Sequence, residues 1–287
     1  MRWESGDIAE KPRNQGCKAK AEYKNYVREV SRAPNPTHSC PLFVPKFGFE
    51  TPLSIRYLSG NLRGVKVGSK VVYRIAVSLF DLIFLLSGGI SSRNADNVPR
   101  SGGVIICPIH LSSLDPPALA CTMRHRRLLA MAKEELWKNK VFGWIIRQIG
   151  AFPIRRGEGD REAIRYAQLL LEDGNPLLMF PEGTRGSGKS LQAFASGPMI
   201  MAKKTGLPVV PVGISGTQRL LPRDGAKATR QRIIVNYGRP FTWAELAIGD
   251  NEKENRTRFM THLRQSIHEL CTEAGLELDP LTNEATS

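Results

Sequence analysis

The 287-residue sequence is poor in cysteine and in metal-ligand patterns. Its five cysteines are odd in number and form no C-x-x-C pair, which argues against a disulfide framework and a zinc site. The five histidines show no metal-ligand spacing either, so we expect no metal. The residues after Met1 are polar where a secretory leader would be apolar, so no such leader is expected.

Long apolar runs are also missing. The most apolar segment, residues 71–86, is interrupted by Arg74 and Asp81. Its uncharged stretches are shorter than the roughly 18 residues that cross a bilayer. We therefore predict a non-spanning apolar helix within 68–90 that ends at Gly88-Gly89. This helix either packs in the core or lies in the lipid–water interface, and the sequence leaves both alternatives open.

Acidic residues are scarce relative to basic ones, 27 against 41, and the formal net charge is +14. Residues 1–70 alone carry 13 basic and 6 acidic side chains, with many prolines and little apolar periodicity. This composition predicts a disordered basic arm over 1–67. The charge favours anionic lipid over nucleic acid as a partner, because stacking aromatic residues are not interleaved with the basic ones. A solvated arm without a partner is the simpler alternative.

The rest of the chain alternates between short apolar strands and amphipathic helices. Strands are predicted at 104–107, 128–131, 152–154, 177–180, 209–214 and 232–237. Helices are predicted at 115–123, 133–149, 160–171 and 252–274. The alternation predicts an α/β fold, a single domain over 68–275 with a mixed, largely parallel sheet flanked by helices and preceded by the apolar or interfacial helix. A disordered tail is predicted over 276–287.

His110 and Asp115 follow the first of these predicted strands and lie five residues apart. Histidine titrates near neutral pH, and a carboxylate that holds one ring nitrogen leaves the other free to take a proton. We therefore predict that His110 is a general base and that Asp115 orients it.

Residues 180–185 read Phe-Pro-Glu-Gly-Thr-Arg and follow another predicted strand. Gly183 lets a ligand approach the backbone closely, Thr184 offers a hydroxyl, and Arg185 can hold a phosphate with two N–H groups. Open α/β sheets bind ligands at the carboxyl ends of their strands, so we expect this motif to lie beside His110. A base beside a phosphate site predicts chemistry on a hydroxyl of a phosphorylated substrate.

Residues 183–190 also satisfy G-x-x-x-x-G-K-[ST], the phosphate-binding loop of many nucleotide-binding proteins. A nucleotide-binding protein is therefore an alternative. Against it, Glu182 would place a carboxylate beside the phosphates, and Gly197-Pro198 would interrupt the helix that must follow the loop. No later predicted strand ends in the aspartate that would hold magnesium.

The two motifs resemble the H-x4-D and F-P-E-G-T-R signatures of glycerolipid acyltransferases of the lysophosphatidic acid acyltransferase (PlsC-like) family. Residues 150–156 and 209–216 resemble the two other blocks of that family, in the same order. The resemblance extends from about Gly68 to about Gly238. Four ordered blocks are a specific signal, whereas a lone H-x4-D motif is not.

This resemblance implies transfer of a fatty acyl group from acyl-CoA or acyl-carrier protein to the sn-2 hydroxyl of 1-acylglycerol 3-phosphate, giving phosphatidic acid. It implies His110 and Asp115 as the catalytic pair. Backbone N–H groups within 213–216, or at the helix start after Asp115, are the two candidates for stabilising the oxyanion. The residues implied to bind the acceptor are Arg156, Glu182, Gly183, Thr184 and Arg185. The thioester is a co-substrate, and neither a cofactor nor a metal is implied.

Other functions remain open at this stage. Within the class, glycerol 3-phosphate or another lysolipid is the alternative acceptor. Outside the class, a basic module could bind lipid or nucleic acid without catalysis. Because fatty acyl chains are poorly soluble, the resemblance implies a peripheral or monotopic protein on the cytoplasmic face of a membrane. The expected partners are the acyl donor, a lysophospholipid and the membrane surface, with no nucleic acid.

Overall fold

Seven strands form one sheet at the centre of the fold. They are β1 (Ile90–Arg93), β2 (Val104–Pro108), β3 (Leu129–Lys133), β4 (Ala151–Ile154), β5 (Pro176–Leu178), β6 (Val209–Ser215) and β7 (Ile233–Tyr237). Their order in the sheet is β1-β7-β6-β2-β5-β3-β4. The pair β6 and β7 is antiparallel, and every other neighbouring pair is parallel. The predicted α/β fold with a mixed, largely parallel sheet is confirmed.

Helices cover the sheet. They are α1 (Lys70–Leu86), α2 (Asp115–Thr122), α3 (Lys140–Gln148), α4 (Arg161–Glu172), α5 (Gly197–Thr205), α6 (Thr217–Leu220), α7 (Trp243–Leu246) and α8 (Glu252–Glu273). Short 3₁₀ turns lie at Ala95–Asn97 and Glu134–Trp137. The structure, a computed structural model, describes residues 69–154, 161–222 and 226–281. The predicted basic arm over 1–67 lies outside these residues.

The core lies around the two central strands. Every residue of β2 and β6 is buried. Both strands read as continuous apolar runs, as expected for parallel strands that helices cover on both faces. Helix α8 packs on β6 at Gly213, where a Cβ atom would lie only 2.3 Å from the main-chain carbon of Leu270. Gly213 is therefore required for the close approach of helix and strand.

Helix α1 confirms the helix predicted within 68–90. The Ser69 side chain caps its first turn by accepting a hydrogen bond of 3.3 Å from the Val71 N–H. The helix ends before Gly88 and Gly89, which adopt φ of 124° and 88°, values that favour glycine.

Helix α1 has one buried face and one exposed face. One face packs against the domain through Tyr73, Val77 and Phe84. The rest of the helix surface exposes a set of large apolar side chains: Val71, Ile75, Leu79, Leu82, Ile83, Leu85 and Leu86. Within the described part of the chain, no helix combines the length and the hydrophobicity needed to cross a membrane.

The helix predicted over 133–149 is divided in two. A 3₁₀ turn ends at Trp137, and α3 begins only at Lys140. The turn folds back on the helix so closely that a Cβ atom on Gly143 would lie 3.0 Å from the Cα of Trp137. A continuous helix could not make this contact. Strand β1 was not predicted, because Ile-Ser-Ser-Arg lacks an apolar pattern and pairs with β7 only in the tertiary fold.

Residues 276–281 correct the prediction of a disordered tail over 276–287. Leu276 is buried, and Leu278 and Leu281 pack against the core. The Asp279 N–H donates a hydrogen bond of 2.6 Å to the Lys189 carbonyl. The prediction failed because three leucines in a short segment that contains a proline are too few to indicate a helix or strand, although the fold buries Leu276 and partly buries the other two. Residues 282–287 lie outside the described residues.

Candidate active site

Both sequence motifs follow strands that end at the same edge of the sheet. Strands β6, β2 and β5 are adjacent and parallel, so their carboxyl ends lie side by side. His110 follows β2, and residues 180–185 follow β5. The Gly186 N–H donates a hydrogen bond of 2.8 Å to the His110 carbonyl and joins the two loops directly. The prediction that the motifs lie together is confirmed by this contact.

His110 and Asp115 form a hydrogen-bonded pair. The imidazole Nδ1 lies 2.9 Å from the Asp115 Oδ2, with 16% of the histidine side chain and none of the aspartate side chain exposed. A carboxylate accepts hydrogen bonds, so neutral His110 donates from Nδ1 and keeps the lone pair of Nε2. That nitrogen can take a proton from a substrate, which is the geometry required of a general base.

The Asp115 carboxylate is satisfied although it is completely buried. Its Oδ2 also accepts from the N–H groups of Leu111, at 2.7 Å, and Ser112, at 2.8 Å. Its Oδ1 accepts from the Thr217 hydroxyl at 2.6 Å. A buried carboxylate without such donors would cost several kcal/mol. These hydrogen bonds therefore allow a charged group to be held in the interior behind His110.

The imidazole of His110 is also held by an aromatic ring. Phe180, the first residue of the F-P-E-G-T-R motif, stacks on it with ring centroids 3.7 Å apart and an angle of 20° between the planes. The contact leaves the ring little freedom to rotate. Phe180 thus helps to hold the His110 ring in place, a role that the sequence analysis did not assign to it.

The F-P-E-G-T-R loop turns tightly at Gly183. This glycine adopts φ of 64°, and its N–H donates to the Phe180 carbonyl at 3.1 Å. Thr184 is exposed, and Arg185 is partly buried. The Arg185 Nη1 donates to the Ser113 Oγ at 3.2 Å, so the guanidinium is held against the H-x4-D loop. Gly183, Thr184 and Arg185 are therefore near the histidine, as predicted, and Ser113 is a contact that the sequence did not reveal.

Glu182 differs from its predicted role in binding the acceptor. Its side chain is buried, and neither oxygen makes a hydrogen bond with the described residues. Burial raises the pKa of this carboxyl to about 7, and the charge of Asp115 adds to the increase. The peptide groups of His110 and Gln192 lie close enough to lower the pKa, although neither meets the geometry of a hydrogen bond, and the charge of Arg264 also lowers it; burial remains the largest effect. Both oxygens are buried, so the side chain is directed into the protein and not towards solvent.

Arg156, the other predicted acceptor ligand, lies outside the described residues. The P-loop alternative is contradicted. The residues after Lys189 form no helix until α5 begins at Gly197. A phosphate-binding loop of that class needs a helix directly after its lysine, because the helix N-terminus binds the phosphate.

The structure argues against Gly213, the first residue of the candidate range 213–216, and against the start of α2 as donors to the oxyanion. Gly213 is buried inside β6, where it pairs with Asn236 and packs against α8. At the start of α2, the Asp115 N–H already donates to the Ser112 carbonyl, and the next two residues are prolines, which lack an N–H. Across the described ranges, no group of three or more His, Cys, Asp or Glu side chains could hold a metal. The metal-free reaction stays a prediction.

The fold and the joined motifs define the class of protein. Residues 89–215, a little under half of the chain, match the family model described as Acyltransferase. The matched residues include both motifs and end with β6. The resemblance to PlsC-like acyltransferases is thereby confirmed.

Two bacterial relatives and one solved structure illustrate the similarity. The 1-acyl-sn-glycerol-3-phosphate acyltransferase of Streptococcus pneumoniae is 30% identical over 168 residues, which are 58% of this chain and 60% of that protein. The protein of the same name from Bacillus subtilis is 28% identical over 202 residues, 69% of this chain and 96% of that protein. The crystal structure of PlsC, the 1-acyl-sn-glycerophosphate acyltransferase of Thermotoga maritima, is 25% identical with a TM-score of 0.57, covering 76% of this chain and 92% of that chain.

Proposed function

We propose that this protein transfers a fatty acyl group from a thioester, acyl-CoA or acyl-carrier protein, to the sn-2 hydroxyl of 1-acylglycerol 3-phosphate. The observation that carries the proposal is the His110–Asp115 pair, bonded through Gly186 to the loop that holds Arg185. A base and an anion-binding side chain at one sheet edge suit an acceptor that has both a hydroxyl and a phosphate. The names of the similar proteins support the same acceptor.

The reaction needs one proton shuttle and no covalent enzyme intermediate. His110 Nε2 takes the proton of the acceptor hydroxyl as its oxygen attacks the thioester carbonyl carbon. Asp115 offsets the positive charge that develops on the imidazole. When the tetrahedral intermediate collapses, the C–S bond breaks and the thiolate leaves. His110 returns its proton to the thiolate, so the base is regenerated and no cofactor is consumed.

Arg185 is the residue that we assign to the acceptor phosphate. Guanidinium groups bind phosphate through two parallel N–H groups. Its contact with Ser113 holds the guanidinium beside the H-x4-D loop. The hydroxyl of Thr184 and the backbone at Gly183 are exposed enough to contact the same head group. Arg156 is the further predicted ligand.

An acceptor panel with both donors tests the proposal. Purified protein is supplied with acyl-CoA or acyl-carrier protein and with 1-acylglycerol 3-phosphate, glycerol 3-phosphate or a lysophospholipid with another head group. We expect thiol release only when an acceptor is present, fastest with 1-acylglycerol 3-phosphate. Fastest release with a different acceptor would replace the proposed substrate, and no release with any acceptor would contradict the acyltransferase function.

We further propose that α1 and α3 together form a membrane-binding surface, which we call the apolar surface. Helix α3 contacts α1 and exposes Val141, Trp144 and Ile145. Lys138 and Lys140 at the start of α3 are exposed beside these side chains. Apolar and tryptophan side chains flanked by lysines suit the head-group layer of an anionic bilayer. This surface supports a peripheral or monotopic position, and we propose the cytoplasmic face of a membrane, where anionic lipids are enriched.

Vesicle binding tests the apolar surface. Replacing exposed Leu82, Leu85 and Leu86 by Ser should weaken sedimentation with anionic vesicles and leave the melting temperature nearly unchanged, because these side chains are not in the core. The matched control is Ile248→Ser, an exposed apolar residue between α7 and α8. Brominated lipids should quench the fluorescence of wild type more than that of Trp144→Phe. Equal vesicle binding by all variants would contradict the proposal.

A further inference from the structure

Thr217 is a buried polar residue outside both motifs, and its role follows from its one strong contact. It is the first residue of α6, directly after β6, and its side chain is completely buried. Its hydroxyl donates to the Asp115 Oδ1 at 2.6 Å across 102 residues of sequence. The family match ends at residue 215, so it does not extend to this threonine.

The donors to Asp115 are divided unevenly between its two oxygens. Oδ2 accepts from His110 and from the N–H groups of Leu111 and Ser112, all within the H-x4-D loop. Among the described residues, the hydroxyl of Thr217 is the donor that the structure gives to Oδ1. Without this hydroxyl, a buried carboxylate oxygen would have no hydrogen-bond donor. The free-energy cost of that unpaired oxygen would favour rotation of the carboxylate away from His110.

The backbone around Thr217 is fixed by a close contact. Gly216 adopts φ of 93°, and a Cβ atom on it would lie 2.5 Å from the Arg232 carbonyl oxygen. Only glycine fits this turn, which brings β6 to its end against the segment before β7. The Gly216 carbonyl then accepts from the N–H groups of Arg219 and Leu220. The close contact at Gly216 therefore fixes the backbone that carries the Thr217 side chain relative to the sheet.

We propose that Thr217 is a positioning residue for the acyl transfer. Its hydroxyl holds the Asp115 Oδ1 and so keeps the carboxylate in the orientation in which Oδ2 bonds to His110. Thr217 thereby links the end of β6 to the base at the end of β2. This inference rests on the proposed function, in which His110 is the base. Because the Thr217 side chain is completely buried and its hydroxyl bonds to Asp115, its loss should affect turnover more than acceptor binding.

The test compares Thr217→Val, which keeps the shape, with Thr217→Ser, which keeps the hydroxyl. We expect Val to lower kcat roughly 10- to 100-fold with the KM of the acceptor changed by less than about twofold. Ser should restore most of the activity. Thr122→Val is the matched control, since Thr122 bonds to Tyr237 and to α2 carbonyls and not to Asp115. Circular dichroism and thermal melts verify that each variant is folded.

A double-mutant cycle with Asp115→Asn shows whether Thr217 acts through the carboxylate. We expect Thr217→Val to reduce kcat much less in the Asn background than in wild type. Equal losses in both backgrounds, or wild-type kcat in Thr217→Val, would overturn the inference. A measurement that does not depend on turnover is the downfield proton NMR resonance of the His110 Nδ1–H. This resonance should shift or broaden in Thr217→Val and persist in Thr217→Ser. Failure of wild type to acylate any acceptor would instead overturn the proposed function and leave this resonance as the test of Thr217.

Discussion

The two loops that meet at the sheet edge differ in how completely their charged groups are bonded. In the H-x4-D loop, Asp115 is buried and accepts four hydrogen bonds. In the F-P-E-G-T-R loop, Glu182 is buried without a hydrogen bond to the described residues, and Arg185 makes its contact with Ser113 at the surface. The loop proposed to do chemistry holds its buried carboxylate with four donors, whereas the loop proposed to bind the acceptor buries a carboxyl group that has none.

The difference is what the proposed reaction requires. A base works best when its geometry is set before the substrate arrives, because no reorganisation is then needed in the transition state. A head-group site must instead be open to solvent until the ligand enters. Four substitutions test this difference between the two loops.

The largest effect is expected for His110→Ala. A positioned base contributes about 10² to 10⁴ in rate, so kcat should fall by that factor. The imidazole is partly exposed, so the variant should remain folded. Steady-state kinetics and a thermal melt check both statements. Turnover near the wild-type rate would remove His110 from the mechanism.

Asp115→Asn should have the next largest effect. The amide oxygen can accept from the loop N–H groups, and the Thr217 hydroxyl can turn to accept from the amide NH₂, so the fold should survive. The charge that offsets the imidazolium is lost, and kcat should fall on the order of 100-fold with little change in KM. A raised KM at unchanged kcat would make Asp115 a binding residue.

Arg185→Ala tests the acceptor loop. The loss of a charge-assisted contact with the phosphate, worth roughly 1.5 to 3 kcal/mol, should raise the KM of the phosphorylated acceptor at least about tenfold. Lys189→Ala is the control, since this exposed lysine lies in the same loop and satisfied only the rejected P-loop pattern. Initial rates across acceptor concentration measure both. Equal effects of the two changes would remove the special role of Arg185.

Glu182→Gln should affect stability in a pH-dependent way. Burial raises the pKa of this carboxyl from 4.5 to about 7. A group whose pKa is raised by folding resists ionisation, so its contribution to stability is fully present below pH 4.5 and is lost as pH rises through 7. Glutamine cannot ionise. The variant should therefore gain stability relative to wild type between pH 5 and pH 8, by at most about 3 kcal/mol. Urea unfolding at pH 5 and at pH 8 measures the free energy of unfolding of the variant and of wild type. A difference between the two proteins that is the same at both pH values would refute the prediction.

Much of the candidate site was predictable because its residues lie in two short motifs. His110, Asp115 and Arg185 could be identified from residue type and spacing, and the apolar strands before them placed both motifs at strand ends. Glu182 was assigned to ligand binding because a motif shows which residues are adjacent in the chain and not which way a side chain points. Its burial is decided by the tertiary packing around the loop.

The amino-acid sequence by itself determined the α/β class, the pairing of His110 with Asp115 and the apolar helix before the domain, because strand and helix periods and motif spacing are local properties. The tertiary structure alone decided which strands are neighbours, and hence that the ends of β2, β5 and β6 meet. It brought Thr217 to Asp115 and Ser113 to Arg185, and it turned one face of α1 to the core and left the other exposed. These are contacts between residues far apart in the chain, and such contacts depend on the packing of the whole sheet and its helices.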